Sequence, residues 1–125
     1  MCFNINFQNN PEIHTINNVL SVYRSSLDKL TFTGPTFFEP IINTVIEGIS
    51  AKENNLEYTI LLILTDGVID DIEATILALV MGSFLPLNVI IVGIGEADFS
   101  KMVILDGNVV SLVSLNGVKW ARDLL

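Results

Sequence analysis

Two oxygen-bearing side chains occupy positions where this sequence could do chemistry. Asp66 ends an unbroken apolar run, Tyr58 to Leu64, and stands in Thr65-Asp66-Gly67; Thr36 follows Gly34-Pro35 and opens a helical pattern. An apolar run of strand length predicts a parallel strand covered on both faces. In open α/β sheets, ligands bind beyond the carboxyl ends of the strands. A hydroxyl and a carboxylate in that region suit a hard cation, magnesium or calcium, which takes oxygen ligands and leaves positions for water or an incoming carboxylate. Asp-Gly is equally a common turn pair. Two ligands alone do not make a site, so the metal site read here at Thr36 and Asp66 is incomplete.

Other chemistries are poorly served. Asp70, Asp71 and Glu73 fall in the first turn of a predicted helix, where acids favour the positive end of the dipole, and they read as structural. The one histidine, His14, sits on the polar side of the first helix, and the one cysteine, Cys2, lies far from it in sequence. Neither a zinc site nor a hydrolytic triad can be assembled from them. Gly93-Ile94-Gly95 lacks the third glycine of a dinucleotide fingerprint and follows a later strand. No Walker or kinase signature is present. No catalytic residue and no organic-cofactor site is read from these residues.

The bulk numbers narrow the partners. The chain has 125 residues, 50% of them hydrophobic, enough for a core in one domain. Its net charge of -8, with six Lys and Arg, argues against nucleic acid. A direct hold on anionic lipid is equally disfavoured unless a cation mediates it. A lone cysteine excludes an internal disulfide and fits a reducing compartment. The start, Met-Cys-Phe-Asn-Ile-Asn, has no basic segment, so no signal peptide is expected. Ile76 to Gly95 carries no charge and has the length of a membrane span, roughly 20 residues. Gly82, Ser83, Pro86 and Asn88 interrupt it, and its apolar period changes at Pro86, which predicts a buried helix followed by a buried strand.

The elements follow from periodicity. Cys2 to Phe7 alternates and predicts an edge strand. Asn9 to Glu12 predicts a turn and helix start, with an amphipathic helix carrying Ile13, Ile16, Val19, Leu20, Tyr23 and Leu27 to about Leu30. A second helix from Thr36 should bury Phe37, Ile41, Ile42, Val45, Ile46 and Ile49. Tyr58–Leu64 is a strand, 72–84 a helix and 87–93 a strand, making a parallel, right-handed βαβ unit with Asp66 and Gly93 at one sheet edge. Asp98 to Leu105 can form a short helix, and Asn116-Gly117 can turn a hairpin.

Taken together, several segments resemble the copine family, whose C-terminal half is a von Willebrand factor A-like domain. They include Cys2-Phe3-Asn4-Ile5-Asn6, Tyr23-Arg24-Ser25, Gly34-Pro35-Thr36, Phe38-Glu39-Pro40-Ile41-Ile42 and Leu61-Leu62-Ile63-Leu64-Thr65-Asp66-Gly67. Leu85-Pro86-Leu87, Ile90-Ile91-Val92-Gly93-Ile94-Gly95, Ala97-Asp98-Phe99, Leu105-Asp106-Gly107 and Arg122-Asp123 extend the likeness over nearly the whole chain. Plant ubiquitin ligases with a copine-like domain share the Gly-Pro-Thr and Asp-Gly landmarks, whereas the Ala97-Asp98-Phe99 and Asp106-Gly107 segments look more like true copines.

The resemblance implies a partial copine-type von Willebrand factor A-like domain over residues 1–125, an incomplete doubly wound, Rossmann-like parallel sheet with flanking helices. It implies a non-enzymatic module for calcium-dependent phospholipid binding and recruitment of protein partners, intracellular and cytoplasmic, with recruitment to the plasma membrane. The alternatives are the copine-like part of a RING-type ubiquitin ligase and a non-functional truncated gene product. In the family's metal-ion-dependent adhesion site, Thr36 matches the threonine and Asp66 the aspartate, while the Asp-x-Ser-x-Ser loop has no counterpart here. The expectation is a chain beginning near the family's third strand, with the lipid-binding modules missing and the last strand absent or short. In the family's strand order the missing strands lie between the Cys2 and Tyr58 strands. An open strand edge then predicts poor solubility or self-association.

Overall fold

The computed structural model describes residues 2–31, 34–52, 57–66 and 68–105. The chain divides into two compact units, one running to Gly34 and one beginning at Pro35. The second unit carries the sheet. β1 (Thr59–Thr65) and β2 (Leu87–Gly93) pair in parallel, in register from Thr59 opposite Leu87 to Thr65 opposite Gly93. The βαβ unit is therefore where the two apolar runs predict it. Its crossover is helix α3 (Ile72–Gly82), which ends before Pro86 as the change of period requires. The ladder is closed at both ends: Thr59 N–H donates to the Pro86 carbonyl and Ile94 N–H to the Thr65 carbonyl, each at 2.8 Å.

Helix α2 (Glu39–Ser50) packs on α3, and together they cover one face of the strands. The core there joins Ile42 and Ile49 of α2, Ile63 of β1, Leu79 and Val80 of α3, and Val89 of β2. Of the residues expected to bury α2, Ile42 and Ile49 do so, while Phe37 is exposed and its neighbour Phe38 is buried in its place. The reason is register: α2 starts three residues later than Thr36, so Phe38 becomes the N-cap and turns inward. A short helix α4 (Ser100–Leu105) buries Leu105.

The expectation that β1 is covered on both faces is not met. Burial alternates along it, with Leu61, Ile63 and Thr65 turned inward and Ile60, Leu62 and Leu64 exposed. Ile90 and Val92 of β2 are exposed as well. Apolar composition made the strand fit for two covered faces, but the helices of this unit cover one.

The first unit departs further from expectation. Residues 2–7 form no strand. Their asparagines bond locally instead: the Asn4 side-chain amide donates to the Gln8 carbonyl, and the Asn6 side-chain amide to the Asn10 carbonyl. Phe7 adopts a positive φ of 55°, and the Phe3 and Phe7 rings stack with centroids 5.9 Å apart. Side-chain bonds of this kind offer the backbone an alternative to a ladder, and here they win. The helix also starts later than Asn9-to-Glu12 predicts and ends before Leu30: α1 is Ile16–Leu27, capped by Thr15, whose hydroxyl accepts from Asn18 N–H. His14 precedes it, and its carbonyl accepts from the Asn18 side-chain amide. Ile16, Leu20 and Tyr23 of α1 are exposed. Among the described residues, no helix is long and apolar enough to cross a membrane. The Asn116-Gly117 turn and the Asp106-Gly107 and Arg122-Asp123 segments lie outside the described residues.

Candidate functional site

The carboxyl ends of β1 and β2 come together because the strands are parallel and in register through Thr65 and Gly93. Asp66 is the first residue beyond β1 and is exposed. Four residues later the connection meets a segment distant in sequence. Thr36 N–H donates to the Asp70 carboxylate at 2.7 Å, and Asp70 N–H donates back to the Thr36 carbonyl at 3.0 Å. This reciprocal pair ties Thr36 to the β1–α3 connection, the same loop that carries Asp66. The two residues singled out from the sequence therefore sit on segments that are hydrogen-bonded to each other.

Asp71 tightens the arrangement. Its two carboxylate oxygens accept from Phe38 N–H at 3.0 Å and Glu39 N–H at 2.9 Å, while the Thr75 hydroxyl donates to the first of them at 3.1 Å. On the other side, the Lys101 ammonium of α4 donates to the carbonyl of the buried Ile69 at 3.2 Å. The loop is held from α2, α3 and α4 at once.

From sequence, the acids of this loop are expected to be dipole partners of their own helix. The structure refines that reading for two of them. Asp71 is the N-cap of α3, yet its side chain makes no capping bond there and serves the start of α2 instead. Asp70 serves Thr36. Glu73 alone remains a plain acid in the first turn of α3. No single-sequence pattern announces a carboxylate that caps a helix more than thirty positions away. The only hint is that Phe38 cannot cap α2 with its own side chain.

Hydroxyl and carboxylate oxygens suit a hard cation. Among the described residues, no hydrogen bond occupies the Thr36 hydroxyl or the Asp66 carboxylate, whereas one oxygen of Asp70 and both oxygens of Asp71 are engaged with amides. No group of three or more His, Cys, Asp or Glu is gathered for a metal among the described residues. The donor set fits in kind and falls short in number. A separate groove of about 500 Å³ runs beside β2, lined by Val89, Ile91, Gly93, Phe99 and Met102, and it presents no charged side chain. Gly93 is needed in it, because a Cβ there would stand 2.8 Å from the Phe99 ring.

The sequence profile of the Copine family matches residues 1–125. The chain belongs to the copine family. It is 45% identical over 112 residues to Copine-A of Dictyostelium discoideum, covering 88% of this chain and 18% of that protein. It is 41% identical over 128 residues to Protein BONZAI 1 of Arabidopsis thaliana, covering 99% of this chain and 22% of that protein. The chain thus spans about a fifth of the length of these copine-family relatives.

Proposed function

We propose that this chain is part of a copine-type binding module, non-enzymatic, in which Thr36 and Asp66 supply oxygens to a divalent cation at the carboxyl end of the sheet. The observation that supports this reading is the reciprocal Thr36–Asp70 hydrogen-bond pair, which ties Thr36 to the loop that carries Asp66. The parallel β1–α3–β2 unit supports a von Willebrand factor A-type sheet, of which it would be two strands and one crossover. Protein partners would complete the cation's shell with a carboxylate of their own, since a hard cation such as magnesium takes roughly six oxygens. The net charge of -8 makes a cation the natural intermediary for any anionic lipid surface. Membrane recruitment from the cytoplasm and calcium-dependent phospholipid binding belong to the same reading, carried by parts of the full-length family beyond these residues.

Titration calorimetry tests the cation reading. With so few protein oxygens, calcium or magnesium should bind weakly, with a dissociation constant of about 1 mM or above, and Asp66→Ala should abolish the heat. Tight stoichiometric binding would contradict the incomplete site. A weak response that survives in Asp66→Ala would remove Asp66 from it.

A further inference from the structure

We infer that Asp70 and Asp71 are positioning residues: a two-carboxylate clamp that seats Thr36 and the first turn of α2 on the loop bearing Asp66. The inference comes from accounting for the amides at the start of α2. A helix leaves its first amides without intrahelical partners, and they must be satisfied from elsewhere. Ile41 N–H and Ile42 N–H both reach the Phe38 carbonyl at 3.1 Å, and Pro40 has no N–H to satisfy. That leaves Phe38 and Glu39, and both are taken by Asp71. Phe38 contributes no side-chain cap of its own. The Phe38 and Glu39 amides therefore have a partner only while Asp71 is in place. Asp70 does the same for Thr36, just ahead of the helix.

The geometry favours a clamp over an ordinary surface contact. Bonds from amides to an ionised carboxylate are stronger than neutral ones. Asp71 is half-buried beside the buried Phe38 and Thr75, so an amide left without it has limited recourse to water. The Thr75 hydroxyl fixes the carboxylate's orientation from α3. Asp70 and Asp71 are adjacent, so their two grips act on Thr36, Phe38 and Glu39 together. The use of this clamp in cation binding rests on the function proposed above, while the clamp itself can be read without any cation.

Amide hydrogen exchange on the whole chain, resolved by residue, tests it. Asp71→Asn should speed exchange at Phe38 and Glu39 by about tenfold or more, leaving the α3 amides of Ala78 to Val80 unchanged. Asp70→Asn should do so at Thr36, and Glu73→Gln, an exposed acid in the first turn of α3, at none of them. Thr75→Val keeps both carboxylates and serves if Asp71→Asn does not fold. It should raise exchange at Phe38, which shares its oxygen of Asp71, more than at Glu39. Unchanged exchange at Thr36, Phe38 and Glu39, or a uniform rise that includes Ala78 to Val80, overturns the clamp. Raised local exchange with an unaltered calcium response in Asp70→Asn leaves the clamp standing and counts against the cation reading instead.

Discussion

The two faces of β1 carry the same kinds of residue and meet opposite fates. Ile63 on the inner face is 6% exposed, packed among α2, α3 and β2, while Leu62, its neighbour on the outer face, is 55% exposed. Side-chain hydrophobicity is nearly constant along the strand, so it cannot be what separates them. The difference lies in which elements reach each face. An apolar strand states that a face can be covered; the packing partners decide whether it is.

The sharpest way to break this comparison is to substitute one residue on each face. Ile63→Ala should cost about 2–5 kcal/mol, because it leaves a cavity among side chains held by three elements. On the outer face, Leu62→Lys should change stability by no more than about 0.5 kcal/mol. It should also reduce self-association, since a charge interrupts an exposed apolar, β-prone surface. Chemical denaturation and size-exclusion chromatography of the two variants give both readings. Equal destabilisation would mean that the outer face is covered in solution.

A smaller effect concerns α4, which helps close the inner side through Leu105 and Met102. The Ser100 backbone N–H, followed by its hydroxyl, holds the Asp98 carboxyl below its ordinary value of 3.8. A depressed carboxylate contributes above its unfolded value and loses that contribution as pH falls through its lower folded value. The start of α4 should therefore loosen only in acid, with the Ser100 amide resonance shifting at a pH below 3.8. A midpoint at or above that value would show that the cap is absent.

How much was legible in the sequence follows from the same contrast. The βαβ unit could be read because two apolar runs flank a helix-period segment, and Pro86 marks the change. The strand bounds followed closely, since β2 occupies 87–93 as expected and β1 lies one residue beyond the expected 58–64. The Cys2–Phe7 strand could not be settled by alternation, because Asn4 and Asn6 had local hydrogen bonds available that no periodicity count weighs. At the candidate site, Thr36 and Asp66 stand out in the sequence as oxygen-bearing residues near predicted element ends; α2 itself starts at Glu39. The bonds that tie their segments together do not stand out, because Asp70 and Asp71 look like ordinary first-turn acids. Long-range capping becomes visible only once two chain segments are adjacent.

The central claim, that Thr36 and Asp66 mark one cation-binding end of the sheet, is tested most directly by paramagnetic broadening. Manganese takes the same oxygen ligands as magnesium and calcium, and it can be titrated into isotope-labelled chain while amide signals are followed. The earliest broadening should fall around Thr36 and Asp66 and be lost in Asp66→Ala. Earliest broadening around Glu96 and Asp98, or a pattern that Asp66→Ala leaves unchanged, would contradict it.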